Sequence, residues 1–209
     1  MYKAIDFKNW KRREHFEFFS TFEEPFFGVN CEVDCTQAYH NAKAADVPFF
    51  LWYLYRSLQA VNAVDEFRYR ILDGQVVCYE RIHASATINR EDATFGFSFI
   101  EYQENEAEFR NAAGREIAAV RASSGLRMTG ETERLDSIHY SALPWFRFTG
   151  LTHARQFALP DSAPKISFGK ATEEQGKLMM PVAIFIHHGL ADANHVAQHL
   201  DVFQSLLNA

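Results

Sequence analysis

Two adjacent histidines followed by an aspartate, His187-His188-Gly189-Leu190-Ala191-Asp192, are the residues of this chain best suited to chemistry. Imidazole titrates near neutral pH, so a positioned histidine can move protons. The residues before them, Met179 to Ile186, are apolar and rich in branched side chains, as a buried strand is, with Pro181 tolerated near its start. After them, Val196, Leu200, Phe203 and Leu207 recur on one helical face. The histidines therefore sit where a core strand gives way to a helix. Such junctions often carry sites, and they also carry ordinary polar residues meeting solvent.

Two readings use these residues. In one, His188 is a general base and Asp192 supports the local fold through a cationic partner. In the other, His188, Asp192, His195 and His199 hold a metal ion, their spacing lining up on a helix. Zinc sites usually draw ligands from more than one element, no Cys or Glu completes this set, and a helix starting near Asp192 leaves His188 outside it. A second stretch is Ser141-Ala142-Leu143-Pro144-Trp145. A serine at a strand end can donate a hydrogen bond to an oxyanion, the alternative being a core strand that simply runs into a turn.

The elements that must position these residues are readable in outline. Asn9 is placed to cap a helix from Trp10 to Phe19, which Pro25 keeps from extending. Phe27, Val29, Cys31 and Val33 alternate as a strand does, and Thr36 begins a short helix. Pro48 opens a longer one from Phe49 to about Ala63, with Phe50, Leu51, Leu54, Leu58 and Val61 deeply buried. Asp73-Gly74 between Phe67–Leu72 and Gln75–Tyr79 predicts a hairpin, because the pair supplies the positive backbone angles of a two-residue turn. Strands are expected at 83–88, 95–102, 137–142, 146–149 and 165–170. A helix is expected over 104–123, with Phe109, Ala113, Ile117 and Val120 inward, and a loop over 124–133. Hairpins interspersed with helices predict an α+β fold, a two-layer arrangement of a mixed, largely antiparallel sheet with helices packed on it.

Bulk properties narrow the function further. A chain of 209 residues without internal repeat or low-complexity linker fits a single domain over 1–209, and 47% hydrophobic residues supply a substantial core. Phenylalanine is abundant at 20 copies, enough to line apolar pockets or subunit contacts as well as a core. A net charge of -6 excludes a general nucleic-acid binder, which needs a basic face. No run is long enough to span a membrane, and the residues from Met1 to Asp6 lack the layout of a signal peptide, so no membrane association is expected. Cys31, Cys35 and Cys78 read as buried free thiols in a reducing cytoplasm. Glycine-rich phosphate loops, G-x-S-x-G and H-E-x-x-H are absent.

Taken together, WKRREHF at Trp10–Phe16, DEFR at Asp65–Arg68, Asp73-Gly74, SALPW at Ser141–Trp145, Phe168-Gly169-Lys170 and the run Met180–Asp192 resemble the chloramphenicol acetyltransferases of the trimeric, HHxxxDG type, in order and spacing over nearly the whole chain. The resemblance implies a coenzyme-A-dependent acyltransferase-like fold. It also implies a homotrimer with each site at a subunit interface, and acetyl transfer from acetyl-CoA to a small-molecule hydroxyl acceptor, with chloramphenicol leading and antibiotic resistance as the outcome. By the same resemblance His188 is the general base and Ser141 the oxyanion donor. Asp192 and Arg12 form a buried structural ion pair whose loss would cost about 3–5 kcal/mol. Trp145 and Lys170 would contact the coenzyme, Ser167 would stand near the transition state, and Phe19 and Phe95 would line the acceptor pocket. No metal is implied.

Three departures bear on the details. Ala193 replaces a glycine, so the turn into the helix is expected to differ, since alanine resists positive backbone angles. Pro48 replaces a lysine for the coenzyme phosphate, and Phe185 replaces a glutamine, making that side of the acceptor pocket more apolar. The rival functions are the same chemistry on another hydroxyl or amine, and a non-catalytic trimeric binding protein that keeps the fold.

Overall fold

The computed structural model describes residues 1–155 and 161–209. The first part of the chain runs β1 (Tyr2–Ala4), α1 (Arg13–Phe19), β2 (Phe26–Asp34), α2 (Thr36–Ala44), α3 (Phe49–Ala63) and α4 (Asp65–Arg68). The middle holds β3 (Tyr69–Leu72), β4 (Gln75–Tyr79), β5 (His83–Asn89), β6 (Phe95–Phe97) and α5 (Glu106–Arg121). The last part runs β7 (Ser137–Leu143), β8 (Lys165–Gly169), β9 (Thr172–Glu174), β10 (Lys177–His187) and α6 (Ala193–Asn208).

The large sheet has the order β2-β10-β8-β7-β5-β6, with β9 also paired to β10. Among the described residues, only β5–β7 and β7–β8 are parallel. The sheet is thus mixed and largely antiparallel, as the alternation of hairpins and helices predicts. A smaller antiparallel sheet, β1-β4-β3, lies beside it. Arg70 ties the two together. Its buried guanidinium donates to the carbonyls of Phe67 and Tyr69 on its own side, and to those of Leu135 and Ser137 at the start of β7.

Side-chain alternation gives the large sheet two different faces. Ile138 and Tyr140 of β7, Ile166 and Phe168 of β8, and Val182 and Ile184 of β10 join Leu54, Leu58 and Val61 of α3 and Phe203 and Leu207 of α6 in one core. The residues between them, His139, Ser141, Lys165, Ser167, Ala183 and Phe185, therefore turn to the opposite face. That face holds Ser141 and Ser167.

Several local expectations need correction. Helix α1 starts at Arg13, three residues late, because Asn9 is spent in a turn, its amide donating to Asp6 Oδ2 at 2.8 Å. Phe67 and Arg68 belong to α4 rather than to a strand, though the Asp73-Gly74 turn forms as expected, with φ of 50° and 76°. The strand expected over 95–102 stops at Phe97, where Ser98 turns both its N–H and its hydroxyl to the Ala86 carbonyl, and a bridge returns at Ile100. Residues 146–149 form no strand, because Phe146 accepts from Lys170 N–H and Phe148 packs on Gly169. Of the three thiols only Cys35 is buried, while Cys31 and Cys78 are half-buried and all are free. Ala193 opens α6 without a positive φ, so replacing glycine there does not strain the turn.

Gly169 fixes how closely the 144–149 loop approaches the end of β8. A Cβ added there would lie 2.6 Å from Pro181 Cγ and 3.0 Å from the Phe148 ring. Gly169→Ala is expected to lower the unfolding free energy by about 1–3 kcal/mol in urea denaturation. A change below about 0.5 kcal/mol would mean that the loop gives way freely.

Candidate active site

His188 follows β10 directly, and its ring is held from three sides. Phe19 stacks on it with centroids 4.0 Å apart and planes within 14°, and Phe27 lies at 4.5 Å. Its Nδ1 is 3.2 Å from the Ala191 carbonyl. A carbonyl only accepts, so this bond puts the proton on Nδ1 and leaves Nε2 of the neutral ring as a bare acceptor. That is the tautomer a general base requires.

The turn carrying His188 is fastened by Arg12. One guanidinium nitrogen donates to Asp192 Oδ2 at 2.7 Å and another to the His188 carbonyl at 3.0 Å, joining positions near opposite ends of the sequence. Asp192 also caps α6. Its Oδ1 accepts from Asn194 N–H, while His195 Nδ1 accepts from Asp192 N–H at 3.1 Å and turns Nε2 toward Glu66. The pair is less buried than expected, with side-chain exposures of 11% for Arg12 and 38% for Asp192. Burial alone would raise the Asp192 carboxyl, but the Arg12 hydrogen bond, aided by His195, holds it below its ordinary 3.8.

His187 is buried and accepts from Gly189 N–H at Nδ1. Burial, with Arg155 adding to it, pushes this imidazole down to about 4, so it is neutral at pH 7 and packs the turn. The four residues of the metal reading do not converge. His188 turns to Ala191 and His195 to Glu66, while buried His199 stacks on Phe67 at 4.5 Å. Among the described residues, no group of three or more His, Cys, Asp or Glu is arranged to hold a metal ion.

Ser141 lies in a separate cleft of about 550 Å³ on the sheet face turned from the core, lined by Thr87, Phe95, Phe97, His139, His153 and Lys165 among others. Thr87 Oγ1 donates to Ser141 Oγ at 3.4 Å. Lys165 is bound to Asp161 at 2.5 Å in the wall of the cleft. Burial, then Lys165, pushes nearby His139 down to about 4. Thr87, His139, His153 and Lys165 were not foreseen from sequence. The first two were legible only as outward positions of strands, and His153 sits in a loop without periodicity.

Strand register separates the two sites. Ser141 pairs with Ser167, and Ser167 with Ala183. His188 lies five residues beyond Ala183, which at the strand rise is on the order of 17 Å along the sheet, with roughly 10 Å more across it. His188 is not among the residues lining the Ser141 cleft. One chain therefore does not bring the two together.

The other predicted residues divide between these places. Phe19 joins His188, and Phe95 joins Ser141. Ser167 is fully buried beside the cleft, with His153 Nε2 3.3 Å from its hydroxyl. Phe185 packs over Gly28 and meets His153 edge to face at 4.9 Å, so it reaches the cleft only through that histidine. Trp145 is 62% exposed in the turn after β7, and exposed Lys170 lies close by through its bond to Phe146.

This architecture is that of a family of acyltransferase folds. The dihydrolipoamide acetyltransferase of Azotobacter vinelandii superposes with a TM-score of 0.68 over 93% of this chain and 86% of its own, at 14% identity, a likeness of fold alone. A solved structure described as chloramphenicol acetyltransferase superposes far better, with a TM-score of 0.92, 35% identity, and coverage of 99% of this chain and 100% of that one. A chloramphenicol acetyltransferase of Bacillus pumilus is 28% identical over 99% of this chain and 94% of its own length. The family described as chloramphenicol acetyltransferase matches residues 1–204, and the chain belongs to it.

Removing Arg12 should expose the role of its pair through pH. A carboxylate whose pKa is lowered on folding contributes stability that is full above its unfolded pKa and is lost as pH falls through the folded one. Arg12→Ala is expected to cost about 1–3 kcal/mol at pH 7, between the values for exposed and buried pairs. The gap from wild type should shrink, without vanishing, at pH 3 in denaturation experiments. A gap equal at both pH values would exclude the ion pair as its source.

Proposed function

We propose that this protein transfers an acetyl group from acetyl-CoA to a hydroxyl of chloramphenicol, within a ternary complex and without a covalent enzyme intermediate. The observation that carries this reading is the forced tautomer of His188 in a chain of this family: Nδ1–H is committed to Ala191, and Nε2 is left bare against Phe19. Nε2 takes the proton from the acceptor hydroxyl as its oxygen attacks the thioester carbonyl. Positioned proton transfer of this kind contributes about 10²–10⁴-fold in rate. The oxyanion that forms accepts a hydrogen bond from the Ser141 hydroxyl, which a donor such as Thr87 on its oxygen leaves free to point outward. Collapse breaks the carbon–sulfur bond, the thiolate takes the proton held on His188, and an acetyl ester and free coenzyme A result. Arg12 and Asp192 hold the turn and do no chemistry. Trp145 and Lys170 meet the coenzyme, and Phe19 and Phe95 the apolar part of the acceptor, while Phe185 acts only through its contact with His153.

Because His188 and Ser141 are far apart in one chain, the working site is assembled between copies, His188 from one meeting the Ser141 cleft of the next in a homotrimer. The exposed aromatic side chains Phe18 and Phe22, clustered with Phe19 beside His188, support that face as a contact.

Thiol release from acetyl-CoA tests the chemistry. It should depend on chloramphenicol, be abolished in His188→Ala, and fall about 10²–10³-fold in kcat in Ser141→Ala. Release without dependence on chloramphenicol would reject that acceptor, and a panel of other alcohols and amines would then identify the right one. Co-expression of the two inactive variants tests the assembly. Each mixed trimer should regain roughly one intact site, whereas a site within one chain would regain none.

A further inference from the structure

Ser167 and Ser141 stand opposite each other on parallel strands, yet only Ser141 opens to the cleft. Ser167 is fully buried, and His153 lies over it, itself lining the cleft. A buried hydroxyl proton needs an acceptor. Among the described residues, the side-chain partner of Ser167 Oγ is His153 Nε2, at 3.3 Å. Donation from Ser167 to Nε2 places the imidazole proton on Nδ1. His153 itself lines the cleft beside Ser141, so an Nδ1–H on this ring is available to a group bound there. The ring plane is fixed by its perpendicular contact with Phe185 at 4.9 Å. The ring also stays neutral, since burial and then Lys165 hold its pKa below the ordinary value of 6.5.

We propose that His153 is a catalytic residue, its Nδ1–H acting beside the Ser141 hydroxyl as a second hydrogen-bond donor to the oxyanion, with Ser167 the positioning residue that fixes its tautomer. This rests on the acetyl-transfer reading above and assigns a role within the same site. A neutral, oriented donor one strand away from Ser141 strengthens its bond as negative charge develops on the carbonyl oxygen, and so lowers the barrier without tightening ground-state binding.

Steady-state kinetics of the assembled protein test it with acetyl-CoA and chloramphenicol. His153→Phe keeps a ring but no nitrogen, and should lower kcat about 10- to 100-fold with both KM values within about twofold. His153→Asn returns a polar group near the Nδ1 position and should recover most of the loss. Ser167→Ala should lower kcat by a smaller factor and add nothing to His153→Phe, because it acts only through that ring. Nitrogen-15 NMR of labelled histidines should find the Nδ1–H form of His153 in the resting protein and a mixture of tautomers in Ser167→Ala, a readout that needs neither turnover nor the phenylalanine variant. An Nε2–H ring in the wild type, an unchanged kcat in His153→Asn and His153→Phe alike, or a loss confined to the KM for chloramphenicol would overturn the assignment. A wild-type protein that transfers no acetyl group to any acceptor would instead overturn the acetyl-transfer reading, and this assignment with it.

Discussion

Strand β10 bonds β2 along one edge and β8 and β9 along the other, and it is apolar on the face toward the helices. A strand paired on both sides cannot slip by one residue without turning Val182 and Ile184 away from the core and Ala183 and Phe185 into it. That register is the constraint on which the site depends. It places His188 just beyond the last paired residue, where the chain is free to turn but its starting point is fixed. It also sets the row Ser141, Ser167, Ala183 across the sheet, and so decides how far the serine lies from the histidine.

Around this frame, charge is used to hold rather than to react. Arg12 binds a carboxylate and a carbonyl at once, locking the turn after β10 to the start of α1. Arg70 satisfies four carbonyls from inside the protein and joins the two sheets. On the outward face of the large sheet, Lys165 and Asp161 neutralise each other, and burial beside Lys165 keeps His139 and His153 uncharged. The hydroxyls of Ser141 and Ser167 and the ring of His153 are each directed by a single side-chain hydrogen bond. Such groups are oriented at little desolvation cost, whereas an unpaired ion in the same cleft would be expensive to bury.

Much of this was legible in the sequence where local physics decides. Asp73-Gly74 made its hairpin because few other pairs accept two positive φ values. The inward faces of α3, α5 and α6 followed the helical period, with Phe50, Ile117 and Leu200 only partly buried at the margins. Asp192 was read as the partner of a cation, and its second role as the N-cap of α6 emerged only from the structure. Expectations failed where a competing contact, local for Asn9 and tertiary for the others, overrode local preference. Asn9 found Asp6 instead of a helix, Ser98 interrupted a strand by bonding Ala86, and β-prone residues 146–149 were held as a loop by Lys170 and Gly169. The three-residue strands β1 and β9 were too short to leave a pattern.

The sequence by itself determined the types of side chain and the elements that carry them, because periodicity and turn chemistry act over a few residues. It determined that His188 follows a core strand, that Ser141 lies near the end of another, and, through family resemblance, that Arg12 belongs with Asp192. Only the tertiary structure decided which nitrogen of His188 is bare, since that rests on a carbonyl three residues away in a turn of specific shape. Only it placed His153 over Ser167, a contact across a loop with no repeating signal. And only it set His188 and Ser141 apart, because the distance between two strand ends is fixed by register across a sheet, which depends on long-range pairing and leaves no mark in the order of residues.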